Sequence, residues 1–551
     1  MTTHNPPSPQ FRLAGPAEAR GNLTTWHVCV RTYLDPDLRD FVLNDVYEPL
    51  GKPLAPDPAI DSMLVVGHGK RARMINFGVM MTLVALAAVL LSLESPLNRV
   101  LLAGCFLLWL SLAGIAHRPS AAPSLRMESY TAAAYLLNPL LFKWLFWGAV
   151  ASLAFGTVAG LASGNTLWWR VPLELTALGL VSAAGGLIRA GCIAAIPKQK
   201  QPRGIRGPRH RRMASSQDAE VVTYSGNKLA LVGFGEIGAL RQIPVPLAAP
   251  RGASSPEEID LELVMKELWA QTEALAVKPE EGEEAPRGLA LLTVFNQVFV
   301  KDSATREPVS LIEELNIRGR GYESFSEILK DRVLSVRPYL RIQVIQGEGE
   351  LVTNLFVRVE QRAGVLVVEL VPCRLLPTLE CFKLFETGDL RRAPFMCRAG
   401  AVGFGTMPLA VFQAPFSAGK TLGRWSMRGK RRFDQWWELQ PGGRATNAGI
   451  RQESSGKPEN SPNEAADAAF MELVLVHHCL KTLRDYLRGK IDVGPLEAAM
   501  GIAPGRPEYQ IVNNGGSVSI GTVGANGQTI AGAIGSGSKG FVGKLKELLK
   551  P

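Results

Sequence analysis

The chain has 551 residues, of which 46% are hydrophobic and 20% charged, and its formal net charge is +10. This length exceeds what one ordinary core accommodates, so two or more modules are expected. The seven cysteines are odd in number and scattered, which excludes a disulfide framework and favours an intracellular chain. The balance of hydrophobic and charged residues suits a protein that is part soluble and part membrane-embedded.

The N-terminal region predicts a short disordered segment and then a small folded module. Residues 1–20 are polar and rich in proline, and residues 21–73 form the predicted cytoplasmic module. Within this module Asp35 is placed to cap a helix that begins at Pro36, and apolar residues recur on one face of that helix. A module of this size buries little surface alone, so it is expected to pack on a larger module or on the membrane.

Residues 74–196 contain four apolar runs of the length that a helix needs to cross about 30 Å of hydrocarbon. The runs are Met74–Leu93, Val100–Ala116, Trp144–Ser163 and Leu173–Ile196. Short polar loops join the first run to the second and the third to the fourth, which predicts four transmembrane α-helices in two hairpins. Closely spaced glycines and alanines in the third and fourth runs allow helices to approach closely.

The distribution of basic residues predicts the orientation of these helices. Lysines and arginines precede the first run, lie between the hairpins and crowd the linker 197–217, whereas the two opposite loops carry only Arg99 and Arg170. By the positive-inside rule, both termini are expected on the cytoplasmic side of a multi-pass inner-membrane protein. The bilayer is therefore the first expected partner, with anionic lipid headgroups on the basic flanks. Nucleic-acid binding is the less favoured alternative for these residues.

Residues 218–440 predict a cytoplasmic α+β domain. The run 221–232 alternates in the manner of a β-hairpin, with its turn at Gly226-Asn227. Strand-like runs at 341–346, 351–360 and 365–371 are separated by short turns, which predicts an antiparallel β-meander.

A glycine motif in this domain matches the fingerprint of a dinucleotide-binding loop. Gly233-Phe-Gly-Glu-Ile-Gly238 has the G-x-G-x-x-G spacing, but a working fingerprint is followed directly by a helix. Pro244 and Pro246 come soon after the motif and exclude that helix. No cofactor is therefore expected.

A second motif, Gln413–Thr421, fits a loose phosphate-binding loop and makes Gly419, Lys420 and Thr421 weak candidates for nucleotide binding. Such a loop needs a strand before it, here 409–413, and a helix after it. Alanine stands in place of the first loop glycine, Pro415 removes one N–H, and no later strand ends in an aspartate that would hold magnesium. The uncharged stretch 399–418 with basic flanks instead favours a segment dipping into the inner leaflet.

No catalytic residue and no metal ligand is assigned. His477-His478-Cys479 lies in an apolar helical run and indicates ordinary packing, since no partner cluster has ligand spacing.

Residues 441–462 predict a disordered linker, and residues 463–508 predict a helical segment. Residues 509–551 predict a Gly-rich, β-like tail with a short C-terminal helix. Small and β-branched residues alternate there with Gly and Asn, a pattern that allows narrow stacked strands but buries too little surface alone. A flexible tail is the first interpretation, and a homo-oligomer formed through the tail is the alternative.

The chain contains several different short motifs: Tyr33–Pro36, Val65–His68, Val222–Gly226, Val232–Gly235, Gly349–Val352 and Ile511–Gly516. Together they resemble a family of uncharacterised actinobacterial multi-span membrane proteins with a cytoplasmic C-terminal domain. The resemblance implies a bacterial membrane protein and supplies no activity. The expected function is a membrane-anchored scaffold or sensor that self-associates, with an oligomeric channel or pore-forming effector and a membrane-tethered NTPase as alternatives.

Overall fold

The computed structural model describes a defined part of the chain. The described residues are 23–48, 54–116, 169–198, 213, 221–224, 231–250, 257–276, 292–301, 336–385, 393–408, 410–416, 419, 422–423, 449–458, 461–501, 519–523 and 529–533, with several more between 150 and 162. Predictions for 1–20, for most of 197–217 and for the C-terminal helix therefore lie outside them.

The described helices and strands are as follows. The helices are α1 (Leu23–Leu34), α2 (Pro36–Asp40), α3 (Ser62–Leu93), α4 (Pro96–Ala116), α5 (Arg170–Ala194), α6 (Leu261–Glu273), α7 (Ala393–Gly405), α8 (Ile450–Ser454), α9 (Pro462–Leu487) and α10 (Gly494–Ala499). The strands are β1 (Val221–Tyr224), β2 (Glu236–Ile237), β3 (Arg241–Pro246), β4 (Leu292–Lys301), β5 (Val336–Gln346), β6 (Leu351–Arg362), β7 (Val365–Leu375), β8 (Ser519–Val523) and β9 (Thr529–Ala533).

Seven strands form one sheet in the order β1-β4-β5-β6-β7-β2, and β3 also pairs with β7. Because β5, β6 and β7 are neighbours in both sequence and space, the predicted meander is confirmed. The β6–β7 turn places Ala363 and Gly364 at positive φ, 45° and 78°, as two-residue hairpin turns require. Strand β1 runs parallel to β4, and the turn and most of the second strand of the hairpin predicted at 221–232 lie outside the described residues.

The chain divides into two compact units, each assembled from separate stretches of sequence. The first comprises residues 1–239, 276–355 and 372–472. The second comprises residues 240–275, 356–371 and 473–551. Within the second unit, β3 pairs antiparallel with the first part of β7, and β8 pairs antiparallel with β9. Each of the two units is therefore discontinuous in the sequence.

The N-terminal part of the first unit forms the predicted capped helix. The Asp35 side chain accepts hydrogen bonds from the backbone N–H of Asp37 (2.9 Å) and Leu38 (3.2 Å), and Pro36 is the first residue of α2. Leu38 and Val42 are buried, so the apolar face of this helix points into a core. That core also contains residues of α1 and of the first turns of α3.

Within the part of the chain that the structure describes, two helices, α3 and α5, are long and apolar enough to cross a membrane. The span predicted at Met74–Leu93 is the second part of α3, which begins earlier because the Asp61 side chain caps it by accepting from Met63 N at 2.9 Å and Leu64 N at 3.0 Å. Helix α4 covers the second predicted run, and the described residues between 150 and 162 are helical.

Glycines bring α5 and α7 into close contact. A Cβ atom on Gly186 would lie 2.3 Å from the carbonyl oxygen of Ala399, and one on Gly403 would lie 2.6 Å from that of Ser182. The segments Phe395–Gly405 and Ala410–Phe416 form a helix pair bent by 70°. Such a pair is either a broken span or a re-entrant loop, and it covers the stretch in which the sequence predicts a dip into the membrane.

Candidate functional site

A cluster of buried polar side chains in the first unit is centred on Glu350, which follows the turn between β5 and β6. The imidazole Nδ1 of His27, on α1, lies 2.7 Å from Glu350 Oε1. Thr378 donates to the same carboxylate from its backbone N–H at 2.7 Å and from its hydroxyl at 2.8 Å. His27 is fully buried and Glu350 is 7% exposed, so this carboxylate takes its hydrogen bonds from protein donors.

Helix α8 adds an arginine whose side chain is completely buried, Arg451. Its Nη2 donates to the carbonyl oxygens of Glu350 (2.6 Å) and Leu376 (3.0 Å), and its backbone N–H donates to Asp57 Oδ1 at 3.0 Å. The hydroxyl of Ser62, the first residue of α3, donates to Asp57 Oδ2 at 2.8 Å. We refer to His27, Asp57, Glu350, Thr378 and Arg451 as the Glu350 network.

The two carboxyl groups of the network have opposite pKa shifts. Burial raises the pKa of Glu350, but the His27 hydrogen bond and the positive charge of Arg451 outweigh it, so the pKa is lowered to about 2. Burial dominates at Asp57 and raises its pKa to about 6, although hydrogen bonds from Arg451 and Ser62 oppose the shift. Burial also lowers the pKa of Arg451. One carboxylate is thus firmly ionised, while the other titrates close to neutral pH.

Helix α8 fits tightly against the loop before α3. A Cβ atom on Gly449 would lie 2.5 Å from Asp57 Oδ1 and 2.9 Å from the carbonyl oxygen of Pro56. The side chain of Gln452 accepts a hydrogen bond from the backbone N–H of Gly233 at 2.9 Å. The network therefore fixes α1, the start of α3 and α8 against the ends of the central strands. We call the region where these helices meet the strand ends the joint. The joint is expected to be rigid, because the charged groups of the Glu350 network are hydrogen-bonded inside the protein.

The phosphate-loop candidates do not join this network in the described part of the chain. Residues Ala410–Phe416 are helical, so the strand that the phosphate-loop hypothesis needs before the loop is absent. Gly419 is exposed, and Lys420 and Thr421 lie outside the described residues, so their role in nucleotide binding stays a prediction. Among the described residues, no group of three His, Cys, Asp or Glu side chains could hold a metal ion.

Sequence reasoning does not single out Arg451, because it lies in the predicted disordered linker 441–462. The structure corrects that prediction, since α8 is helical and Ile450, Arg451 and Ser454 are buried. The segment is polar and short, and its order comes from partners distant in sequence, such as Asp57.

Two signals in the sequence do lie near the network. The motif Gly349–Val352, on which the family resemblance partly rests, contains Glu350. Two other such motifs meet where the Tyr33 hydroxyl lies 3.0 Å from His68 Nδ1. One of the motifs therefore contains a residue of the Glu350 network, although none of the motifs indicates the chemistry of that network.

The matched family region includes part of this joint. A family profile described as an AbeC-like domain matches residues 241–523, which contain Glu350, Thr378 and Arg451 of the network. His27 and Asp57 lie N-terminal to the match. No curated protein and no solved structure matches the chain significantly.

Proposed function

The chain belongs to the AbeC-like domain family, and from the course of α3 we propose that it is an integral membrane protein acting as a membrane-anchored scaffold or sensor. One observation carries the proposal. Helix α3 is uninterrupted from Ser62 to Leu93, and it begins in the core around the Glu350 network and ends in an exposed apolar surface. Movement of its apolar part would be transmitted to the joint, because a continuous helix has no hinge.

We place four helices across the inner membrane of a bacterium, with both termini cytoplasmic. The charges at the two ends of the apolar helices support this orientation. Arg73 pairs with Asp40 and Glu48, both at 3.2 Å, near the point where α3 leaves the soluble core. At the opposite end of α3 the basic residues are Arg99 and Arg170, and Arg170 lies 3.9 Å from Glu94. Lys70, Arg71, Arg73 and the basic linker 197–217 outnumber them, so basic residues concentrate on the proposed cytoplasmic side.

Carbonate extraction of membranes tests the anchoring. We expect the chain to remain in the membrane pellet at high pH, and release of the wild-type chain by carbonate would contradict the membrane assignment. In a variant whose native cysteines are replaced by serine, we expect the exposed position Arg99→Cys to react with a membrane-impermeant label from outside the cell, and the exposed position Lys266→Cys to react only after lysis. Labelling of Lys266→Cys in intact cells would contradict the orientation alone.

Self-association is proposed through the C-terminal tail, where β8 and β9 form an antiparallel hairpin. A two-stranded hairpin is marginally stable by itself and gains stability when further strands are added to its edges. Light scattering of the detergent-solubilised protein tests this, with and without the residues after Tyr509. A mass that falls to that of a monomer on truncation supports assembly through the tail, whereas equal monomeric masses exclude it.

The bent helix pair on α5 favours a second candidate function, an oligomeric channel. Helices broken within the membrane are tolerated where they are buried in protein or line a water-filled cavity, and the segment Phe395–Phe416 has that form. Ion flux into liposomes containing the purified protein tests this function. Persistent absence of flux at high protein load would exclude the channel and leave the scaffold or sensor.

A further inference from the structure

A second buried arginine in the first unit, Arg341, differs from Arg451 in its surroundings. Arg341 lies in the middle of β5 and is 9% exposed. Its guanidinium carbon lies 4.6 Å from the centre of the Phe234 ring and 4.7 Å from that of the Phe295 ring. Two aromatic rings therefore contact the guanidinium group, and their π faces stabilise its positive charge.

The hydrogen-bond partners of Arg341 are neutral amides. Its Nε donates to Asn354 Oδ1 at 3.1 Å, its Nη1 donates to Gln297 Oε1 at 3.2 Å, and its Nη2 donates to Gln343 Oε1. These bonds use three of the five N–H donors of an arginine. The two remaining donors are one on Nη1 and one on Nη2, on either side of the guanidinium carbon.

A further donor at this place has no acceptor among the described residues. Asn354 is 0% exposed, and its Nδ2 is buried without a hydrogen-bond partner in the described part of the chain. A buried donor without an acceptor costs about 1–3 kcal/mol. A bound acceptor would therefore remove an energetic cost at Asn354, next to the guanidinium group of Arg341.

No described carboxylate compensates the charge of Arg341. The ionisable group that acts on it is the thiol of Cys373, and burial lowers the pKa of Arg341 to about 9. Arg451, in contrast, lies near Glu350 and Asp57, which both favour its charged form. Buried charges in proteins are normally paired with an opposite charge, and no described carboxylate is paired with Arg341.

The loop that places Phe234 on Arg341 is built for that contact. Gly233 and Gly235 have φ values of +94° and +96°, which L side chains rarely adopt. A Cβ atom on Gly235 would also lie 2.0 Å from the carbonyl oxygen of Arg374. Gly233 and Gly235, which match the dinucleotide fingerprint in spacing, therefore allow the tight turn in which the Phe234 ring contacts the guanidinium group.

We infer that Arg341, Asn354 and the two phenyl rings form a binding site for a small planar carboxylate. The two oxygens of a carboxylate match donors on the two terminal nitrogens of an arginine. The two phenyl rings beside the guanidinium group favour a ligand with a flat, weakly hydrated body, such as an organic carboxylate, over the more strongly hydrated phosphate and sulfate ions. The site goes beyond the proposed membrane role and does not depend on it.

Thermal unfolding of the full-length protein in detergent tests the site, with sodium acetate and sodium benzoate as probes and sodium chloride keeping the ionic strength constant. We expect either carboxylate to raise the Tm of the wild-type protein by about 3 °C near saturation. Equal series with sulfate and phosphate are expected to give no rise beyond that of chloride. A wild-type Tm that does not respond to either carboxylate, or that responds equally to sulfate, would overturn the inference.

Three variants separate this site from a general salt effect. Arg341→Met removes the guanidinium group and should abolish the response. Asn354→Asp places a carboxylate beside Arg341, so it should raise the Tm without ligand and remove the response. Arg337→Met, on the same face of β5, is the matched control and should keep the full response. A response retained by Arg341→Met would overturn the inference.

Discussion

The two parts of α3 have the same helical backbone and opposite surroundings. In the first part Val65 and Val66 are fully buried and Ala72 is 1% exposed, whereas in the second part Met74 is 71% and Leu93 is 70% exposed. Most apolar side chains of the first part are buried, whereas the second part buries one face, with Leu83 at 0%, and exposes apolar side chains on the other. A large exposed apolar surface on a helix of this length is typical of a helix that could cross a membrane.

Polar groups show the same contrast. Around the first part, Ser62 and His68 bond to Asp57 and Tyr33, which lie elsewhere in the chain. In the second part, the hydroxyls of Thr82 and Ser92 donate to carbonyl oxygens of the same helix, at 2.9 Å and 2.7 Å. A helix in hydrocarbon must satisfy its polar groups internally, because no water is available.

The largest expected effect concerns the network that holds the first part of α3. Arg451→Leu leaves the carboxylates of Glu350 and Asp57 without their buried cation, which typically costs about 3–5 kcal/mol. Thermal unfolding in detergent should show a large fall in Tm, with a smaller fall for Arg451→Lys, which keeps the charge. A fall in Tm of under 1 °C for Arg451→Leu would show that the network does not stabilise the joint.

A matched pair of alanines in α3 tests the difference of solvent directly. Ala72→Asp buries an unpaired charge in the protein core and should cost about 4 kcal/mol or prevent folding. Ala85, in the second part, is exposed, so in water Ala85→Asp would be nearly neutral, but in a bilayer it should reduce insertion by about 3 kcal/mol. Glycosylation-based insertion assays measure this, with Ala85→Leu as control. Unchanged insertion of Ala85→Asp would argue against the span.

The acid sensitivity of the joint should come from Glu350. Its pKa of about 2 in the folded protein lies below the ordinary value of 4.5. The stability that it contributes is therefore present above pH 4.5 and lost as the pH falls towards 2, with about 3 kcal/mol as the upper limit. Glu350→Gln should lower stability at pH 6 and have little effect near pH 2, as measured by unfolding in detergent across this range.

Asp57 provides the opposite control. Because its pKa is raised to about 6, its contribution to stability is greatest below the ordinary pKa and is lost as the pH rises through 6. Asp57→Asn should therefore reduce the decline of stability between pH 4 and pH 7. If both variants left the pH dependence unchanged, the network would not be its source.

The smallest expected effect concerns the packing of the proposed membrane part. Gly186→Ala places a methyl group against the carbonyl oxygen of Ala399 and should destabilise the contact between α5 and α7 by about 1–3 kcal/mol. Gly191, on the same helix, has nothing within 4 Å of a Cβ atom, so Gly191→Ala should be neutral or stabilising by up to about 1 kcal/mol. Equal Tm values for the two variants would contradict the close contact.

Local patterns predicted the elements that depend on nearby residues. The Asp35 cap before Pro36 needs only the residues of its own turn, and the apolar length of α3 and α5 is a property of each helix alone. The strand runs between 341 and 371 alternate with turn residues, so the meander could be read directly. The prolines after Gly238 excluded a helix in the same local way, and β3 is found there instead.

Long-range contacts decided what local patterns could not. In a strand that alternates apolar and polar residues, Arg341 and Gln343 would be expected on a solvent-facing side, yet both are buried. The parallel partner of β1 and the order of α8 likewise depend on residues far away in the chain. Polarity describes a residue, whereas burial depends on what the fold places over it.

The sequence by itself determined the apolar lengths, the caps and the meander, because hydrophobic period and turn chemistry act over a few residues. Only the tertiary structure showed that α3 joins a soluble core to an apolar surface. Only it brought His27, Glu350 and Arg451 together, and it gave Arg341 no counter-ion among the described residues. These arrangements need contacts between segments hundreds of residues apart, and their energies depend on burial, which appears only once the chain is folded.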